Sequence, residues 1–141
     1  MTVAPPAQQL SERVFGHPLS DKEAYSEIER GFASSVLERF GELFPESVTG
    51  VREALKLSER TLARRRSTGR FSASESDRLY RLITLYLQAA DVLESAEAAD
   101  SWMNSPALAL SDHTPLAYAQ NEAGARQVSD LLIRIEHGVY S

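Results

Sequence analysis

Apolar side chains recur along this chain at the three- and four-residue spacing of helices, and no segment alternates in the manner of a strand. Ser20 followed by Glu23 is a capping-box signature and predicts a helix from Asp21 to Arg30, with Gly31 as its stop. Val36, Leu37, Phe40 and Phe44 place a buried stripe on a second helix, Ala33 to Phe44, closed by Pro45. Val48, Val51 and Leu55 mark another over residues 46–55. Lys56 and Leu57 break its period, and Ser58 suits the cap of a helix that Gly69 closes. Ser72 with Glu75 opens the longest helix, Ser74 to about Glu94, with Leu79, Leu82, Ile83, Tyr86, Ala90 and Leu93 inward. A short Ala-rich helix with Trp102 over 96–103, a loop over 105–113 and a restart at Thr114-Pro115 follow. The last helix runs from near Asn121 to His137, with Ala125, Val128, Leu131, Leu132 and Ile135 in period. Gly138 is its left-handed cap, and Val139 folds back on Ile133.

Residues 1–19, with Pro5, Pro6 and Pro18 among Ala and Gln, show no helical period and are expected to form a flexible arm without function. The predicted architecture is therefore all-α in two packed parts. Residues 20–72 surround a helix-turn-helix, and residues 73–141 surround the long helix.

Composition narrows the chemistry. A chain of 141 residues, 43% hydrophobic and 25% charged, is an ordinary globular domain. It has no apolar run near the roughly 18 residues a membrane helix needs, and its first 19 residues lack the pattern of a signal peptide, so a cytoplasmic location is expected. Cysteine is absent, and His17, His113 and His137 never approach i, i+4 spacing, so neither thiol chemistry nor a metal or other cofactor is expected. Glu38/Glu42 and Glu94/Glu97 could each project two acids from one helix face. Without a nucleophile or glycine-rich loop beside them they read as solvated, and no catalytic residue or enzymatic activity is expected.

Charge is distributed unevenly. Residues 52–81 hold nine Lys/Arg against four Asp/Glu, a balance of +5, while the remainder holds six against sixteen, or −10. On the helix after Ser58, Arg60, Thr61, Arg64, Arg65 and Ser67 fall in one sector with Leu62 opposite and Arg66 beside it. The bland reading is a solvated helix face. Five arginines between positions 60 and 70, opposed only by Glu59, exceed what i, i+4 pairing neutralises, which favours DNA contact. The expected DNA-contacting set is Arg60, Thr61, Arg64, Arg65, Ser67 and Arg70. Lys56 stands in the turn where glycine is commoner, which predicts a bend unlike the usual one. Trp102, Tyr80 and Tyr86 have the spacing of packing residues rather than of a base-stacking platform. Tyr118 and Tyr140 have few large neighbours in sequence, and Tyr140 with the Ser141 carboxylate reads either as a plug for a partner's pocket or as a frayed end.

Several separated blocks resemble one family in the right order: Arg60-Thr61-Leu62-x-Arg64-Arg65; Glu75-Ser76-Asp77-Arg78-Leu79-x-Arg81-Leu82; Ala99-x-x-Trp102-Met103 with Pro106; Thr114-Pro115-Leu116; and Glu122-Ala123-Gly124-Ala125 through Ile135-Glu136-His137-Gly138. These are similar to the Xre/MbcA/ParS-type bacterial antitoxins over about residues 30–141. The resemblance implies an Xre-like helix-turn-helix that represses its own operon, followed by a small helical toxin-binding domain. The implied partner is an RES-domain toxin that destroys NAD and whose active-site entrance the antitoxin covers. It also implies operator DNA as a ligand; a repressor that meets two half-sites is expected to be a homodimer, here within a toxin–antitoxin hetero-oligomer, and the lack of a long apolar run predicts no membrane partner. Arg134, His137, Tyr140 and Ser141 are the expected toxin-contacting residues. Ser111-Asp112 stands where such proteins usually have two glycines, and Asn121 where threonine is usual; both departures touch the toxin-facing part. The competing expectations are a transcriptional regulator whose C-terminal half only dimerises, and a ParS-like polar-localisation protein, neither with a toxin partner.

Overall fold

A computed structural model describes residues 6–138 and shows nine α-helices and one short 3-10 turn among them: α1 Pro6–Phe15, α2 Asp21–Arg30, α3 Ser35–Leu43, α4 Val48–Ala54, α5 Glu59–Thr68, α6 Ala73–Leu93, α7 Ala96–Met103, the turn Leu108–Leu110, α8 Pro115–Tyr118 and α9 Glu122–Glu136. The all-α expectation holds; the nearest thing to a strand is one isolated bridge between Ala33 and Arg70. Six of the helices start where a side-chain oxygen supplies a missing acceptor. Ser20, Ser58, Ser72, Ser95, Thr114 and Asn121 each accept a backbone N–H from three residues on, a bond typically worth about 1 kcal/mol. Ser72 and Glu75 complete a reciprocal capping box at the head of α6.

Helix α6 organises the rest, packing against α1, α2, α7 and α9. Its Leu79, Leu82, Ile83, Leu85, Tyr86, Ala89 and Ala90 are buried, while Leu93 is only partly so. One apolar cluster runs from Leu10 to Leu132 without a break at residue 73.

The expected arm over residues 1–19 is corrected by the structure from residue 6 onward. α1 lies against α3 and α6, with Leu10, Val14 and Phe15 buried. The prolines bracket this helix instead of breaking it. Pro6 takes the first helical position, where no N–H is needed, and Pro18 lies beyond the end, after Gly16 at φ +85°. Three inward residues on a ten-residue helix form too narrow a stripe to stand out among Ala and Gln, and Phe15 finds its partners only in the fold, at ring-centroid distances of 5.4 Å from Phe32 and 6.1 Å from Tyr80.

The bend before α5 also differs from expectation. Lys56 adopts φ +58°, the left-handed conformation that glycine ordinarily supplies, so the usual turn forms on an unusual residue. Ser111 and Asp112 do the same at φ +57° and +63°, and Asn121 caps α9 through Gly124 N–H at 2.8 Å. Ser111 and Asp112 thus take the backbone conformation that glycine ordinarily supplies, and Asn121 makes the cap bond that a threonine could make.

Two stability changes are expected. Phe15→Ala should lower the unfolding free energy by about 3 kcal/mol in urea titration, as for a core aromatic, whereas an arm residue would change it by less than about 0.5 kcal/mol. Lys56→Gly should raise it by about 0.5–1 kcal/mol, because relief of the left-handed strain exceeds the added chain entropy; a loss would show the lysine side chain to be contributing contacts instead.

Candidate functional site

α5 is fixed from both ends and from below. Ser58 accepts the Thr61 N–H at 3.1 Å, Gly69 closes the last turn in the left-handed conformation, and Leu62 is buried at 3% exposure. Arg60, Arg64 and Ser67 project from the exposed face, and none of them has an ion-pair or hydrogen-bond partner among the described residues. Guanidinium groups so placed can hold phosphate oxygens or pair with guanine edges.

The other three residues of the expected DNA-contacting set are engaged elsewhere. Thr61 is half-buried, and its hydroxyl accepts from Ser58 Oγ at 3.0 Å. Arg70 Nη1 donates to the Gly31 carbonyl at 2.8 Å. Arg65 makes a two-pronged ion pair with Glu75, Nε to Oε1 at 2.9 Å and Nη2 to Oε2 at 3.0 Å, with both side chains mostly buried. Arg65 is thus a strut between α5 and α6, a link that helical phase could not reveal because Glu75 reaches it from another helix. Burial pushes the Glu75 carboxyl up, but the Arg65 guanidinium and the Ser72 amide and hydroxyl outweigh it and hold the pKa below its ordinary 4.5. Arg66 pairs with Glu38 at 3.3 Å. A cation not in the expected set, Lys56, is exposed in the turn leading into α5; its charge was visible in the sequence, but its strained position was not.

On the C-terminal side, α9 turns Ala125, Val128, Leu131 and Leu132 inward. Its other face and the 3-10 turn frame a groove of about 460 Å3 lined by Ala109, Leu110, Gln127, Asp130, Ile133 and Arg134. Ile133 is 46% exposed, and Leu108, adjoining the groove-lining Ala109, is 85% exposed. With Tyr25 on α2, these are the exposed large hydrophobic residues among the described ones. Sequence reasoning missed Leu108 and Ile133 as contact candidates, although Ile133 falls off the stripe that α9 buries. Of the expected toxin-contacting residues, Arg134 lines this groove and His137 is exposed at the end of α9. Tyr140, Ser141 and the fold-back of Val139 lie outside the described residues.

The chain matches two domain families in tandem. Residues 23–83 match the antitoxin Xre-like helix-turn-helix domain, and residues 88–138 match the antitoxin Xre/MbcA/ParS C-terminal toxin-binding domain. It is similar to the protein named Antitoxin Xre of Yersinia enterocolitica, 32% identical over 116 residues, which cover 81% of this chain and 78% of that one. Proteins of the same name from Pseudomonas putida and Photorhabdus laumondii are 30% identical over 120 residues and 37% identical over 74 residues. They cover 84% and 52% of this chain, and 74% and 50% of their own lengths.

If α5 reads a duplex, Arg64→Ala should reduce the slope of log affinity against log salt by about 1, the loss of one phosphate contact, whereas Arg65→Ala should lower thermal stability and leave the slope intact. Equal slope changes would show that Arg65 leaves Glu75 for DNA. The pair also has a pH signature. With its folded pKa depressed, Glu75 stabilises the fold above its ordinary value of 4.5, and that contribution disappears as pH falls through the lower folded value. Denaturant titrations across that acid range should show a shallower fall for Glu75→Gln than for the wild type.

Proposed function

The chain belongs to the Xre/MbcA/ParS antitoxin family, and on that premise we propose that it neutralises an RES-domain, NAD-degrading toxin by covering its active-site entrance, and represses its own operon as a homodimer. The observation that carries the toxin half is the groove on α9. Within the span of the toxin-binding match, the exposed Ile133 lines it with Asp130 and Arg134, and the exposed Leu108 directly precedes the lining residue Ala109. Exposed apolar side chains rimmed by charge mark partner surfaces, where a few anchors supply most of the binding energy. Docking here would carry Arg134 and His137 toward the pocket that holds the dinucleotide's phosphates, and Tyr140 and Ser141 complete the proposed plug. Neutralisation is then steric and the antitoxin itself non-catalytic.

The DNA half rests on Arg60, Arg64 and Ser67, exposed and unpartnered on a capped helix. Two such helices would meet half-sites about 34 Å apart in a symmetric dimer. Residues 20–72 then form the DNA-reading part and 73–141 the toxin-binding part, with α6 common to both cores, in a cytoplasmic complex. Among the described residues no helix is long and apolar enough to cross a membrane.

Co-expression with the product of the adjacent reading frame tests the proposal. The wild type should restore growth, and Leu108→Glu with Ile133→Glu should abolish rescue while leaving operator binding intact. Undiminished rescue by that double variant would remove the groove from the interface. Deleting Val139–Ser141 should abolish rescue without preventing co-purification; unchanged rescue would discard the plug and leave docking in place. An adjacent frame with no toxic product would favour a plain regulator.

A further inference from the structure

Asp100 on α7 is 3% exposed, and its carboxylate has no Lys or Arg partner among the described residues. Its oxygens instead accept the Glu46 N–H at 2.9 Å and the Ser47 hydroxyl. Asn104 Nδ2 closes the ring, donating to Ser47 Oγ and to the Asp100 carbonyl, both at 2.8 Å. Tyr86, fully buried, has its hydroxyl near the same node, and burial first and then the Asp100 charge push its pKa up. Ser47 precedes α4, yet its hydroxyl makes no capping bond within that helix, being given to Asp100. Three residues further on, Gly50 lets α4 approach α8 so closely that an added Cβ would overlap the Leu116 side chain. The first helix of the helix-turn-helix is therefore gripped by the toxin-binding half at two points, a polar one at its head and an apolar one midway. α5 follows α4 through the four-residue turn 55–58, so the pose of the cationic helix is inherited from this grip.

We propose that Asp100, although it lies in the toxin-binding region, is a positioning residue for DNA reading: it holds α4 through Glu46 and Ser47 and thereby sets the angle at which α5 meets a duplex. The inference rests on the DNA half of the proposed function. A buried carboxylate with two donors from a distant segment fixes that segment closely, because removing it leaves the buried Ser47 hydroxyl without its acceptor and the part-buried Glu46 N–H without its partner. Base-edge contacts tolerate displacements well under 1 Å, whereas phosphate attraction is forgiving, so the loss should fall on specific binding.

The test uses the full chain and two duplexes, one from its own promoter and one of scrambled sequence, read by fluorescence anisotropy. Asp100→Ala is expected to weaken promoter binding about tenfold while changing scrambled-duplex binding less than about twofold. Asp100→Asn, whose amide oxygen still accepts from Glu46, should restore most of the difference. Val128→Ala, in the core of α9 away from the node, serves as the control: it should lower the melting temperature and leave promoter affinity unchanged. If Asp100→Ala does not fold, Ser47→Ala carries the same expectation with a severalfold loss. Promoter affinity equal to wild type in the folded variant, or an equal loss in Val128→Ala, overturns the inference. A wild type that ignores its promoter overturns the DNA reading beneath it.

Discussion

Burial of the inner face of α6 is the constraint on which the other elements depend. A 21-residue helix that turns Leu79, Leu82, Ile83, Leu85, Tyr86, Ala89 and Ala90 into protein must be covered along most of its length, and no single neighbour is long enough to do it. α1 and α2 supply cover, as do α7 and α9, so that both matched domains use this helix: one ends at residue 83 and the other begins at 88. Tyr86 joins two aromatic contacts, its ring centroid 4.9 Å from those of both Phe40 and Phe44, in edge-on arrangements worth about 0.5–1.5 kcal/mol each beyond the area they bury. α3 is thereby fastened to the middle of α6, and α4 follows at the buried Ser47.

Around this core the arginines divide into two kinds. Arg65 and Arg70 close tertiary links, to Glu75 on α6 and to the Gly31 carbonyl, and so fix the C-terminal end of the segment that carries Arg60 and Arg64. A charge cluster that looked uniform in one dimension is thus part scaffold and part exposed surface. The arrangement makes physical sense, because an exposed guanidinium contributes to recognition only if its backbone is held in place, and a paired one is well suited to hold it.

Connections carry a related compromise. Lys56, Glu94, Ser111 and Asp112 all occupy left-handed backbone, each costing about 1–2 kcal/mol relative to the right-handed region, and lie at the turns between α4 and α5, between α6 and α7, and beside the α9 groove. Of these, Lys56 leads into the helix proposed to meet DNA, and Ser111 and Asp112 directly follow the groove-lining Leu110.

Much of this was legible in sequence. Ser20, Ser58, Ser72, Thr114 and Asn121 announced their helix starts because capping is a bond between residues three apart, and the stripes on α3, α6 and α9 announced their buried faces because periodicity is equally local. The paired blocks that marked the antitoxin family were likewise written in linear order. Tertiary structure alone decided that α1 joins the core, that Arg65 is held by Glu75, that Leu108 and Ile133 stay uncovered, and that Asp100 reaches back to Glu46 and Ser47. Each of those outcomes depends on which distant side chain occupies a shared volume, and spacing along one helix carries no information about a partner 10 to 54 residues away.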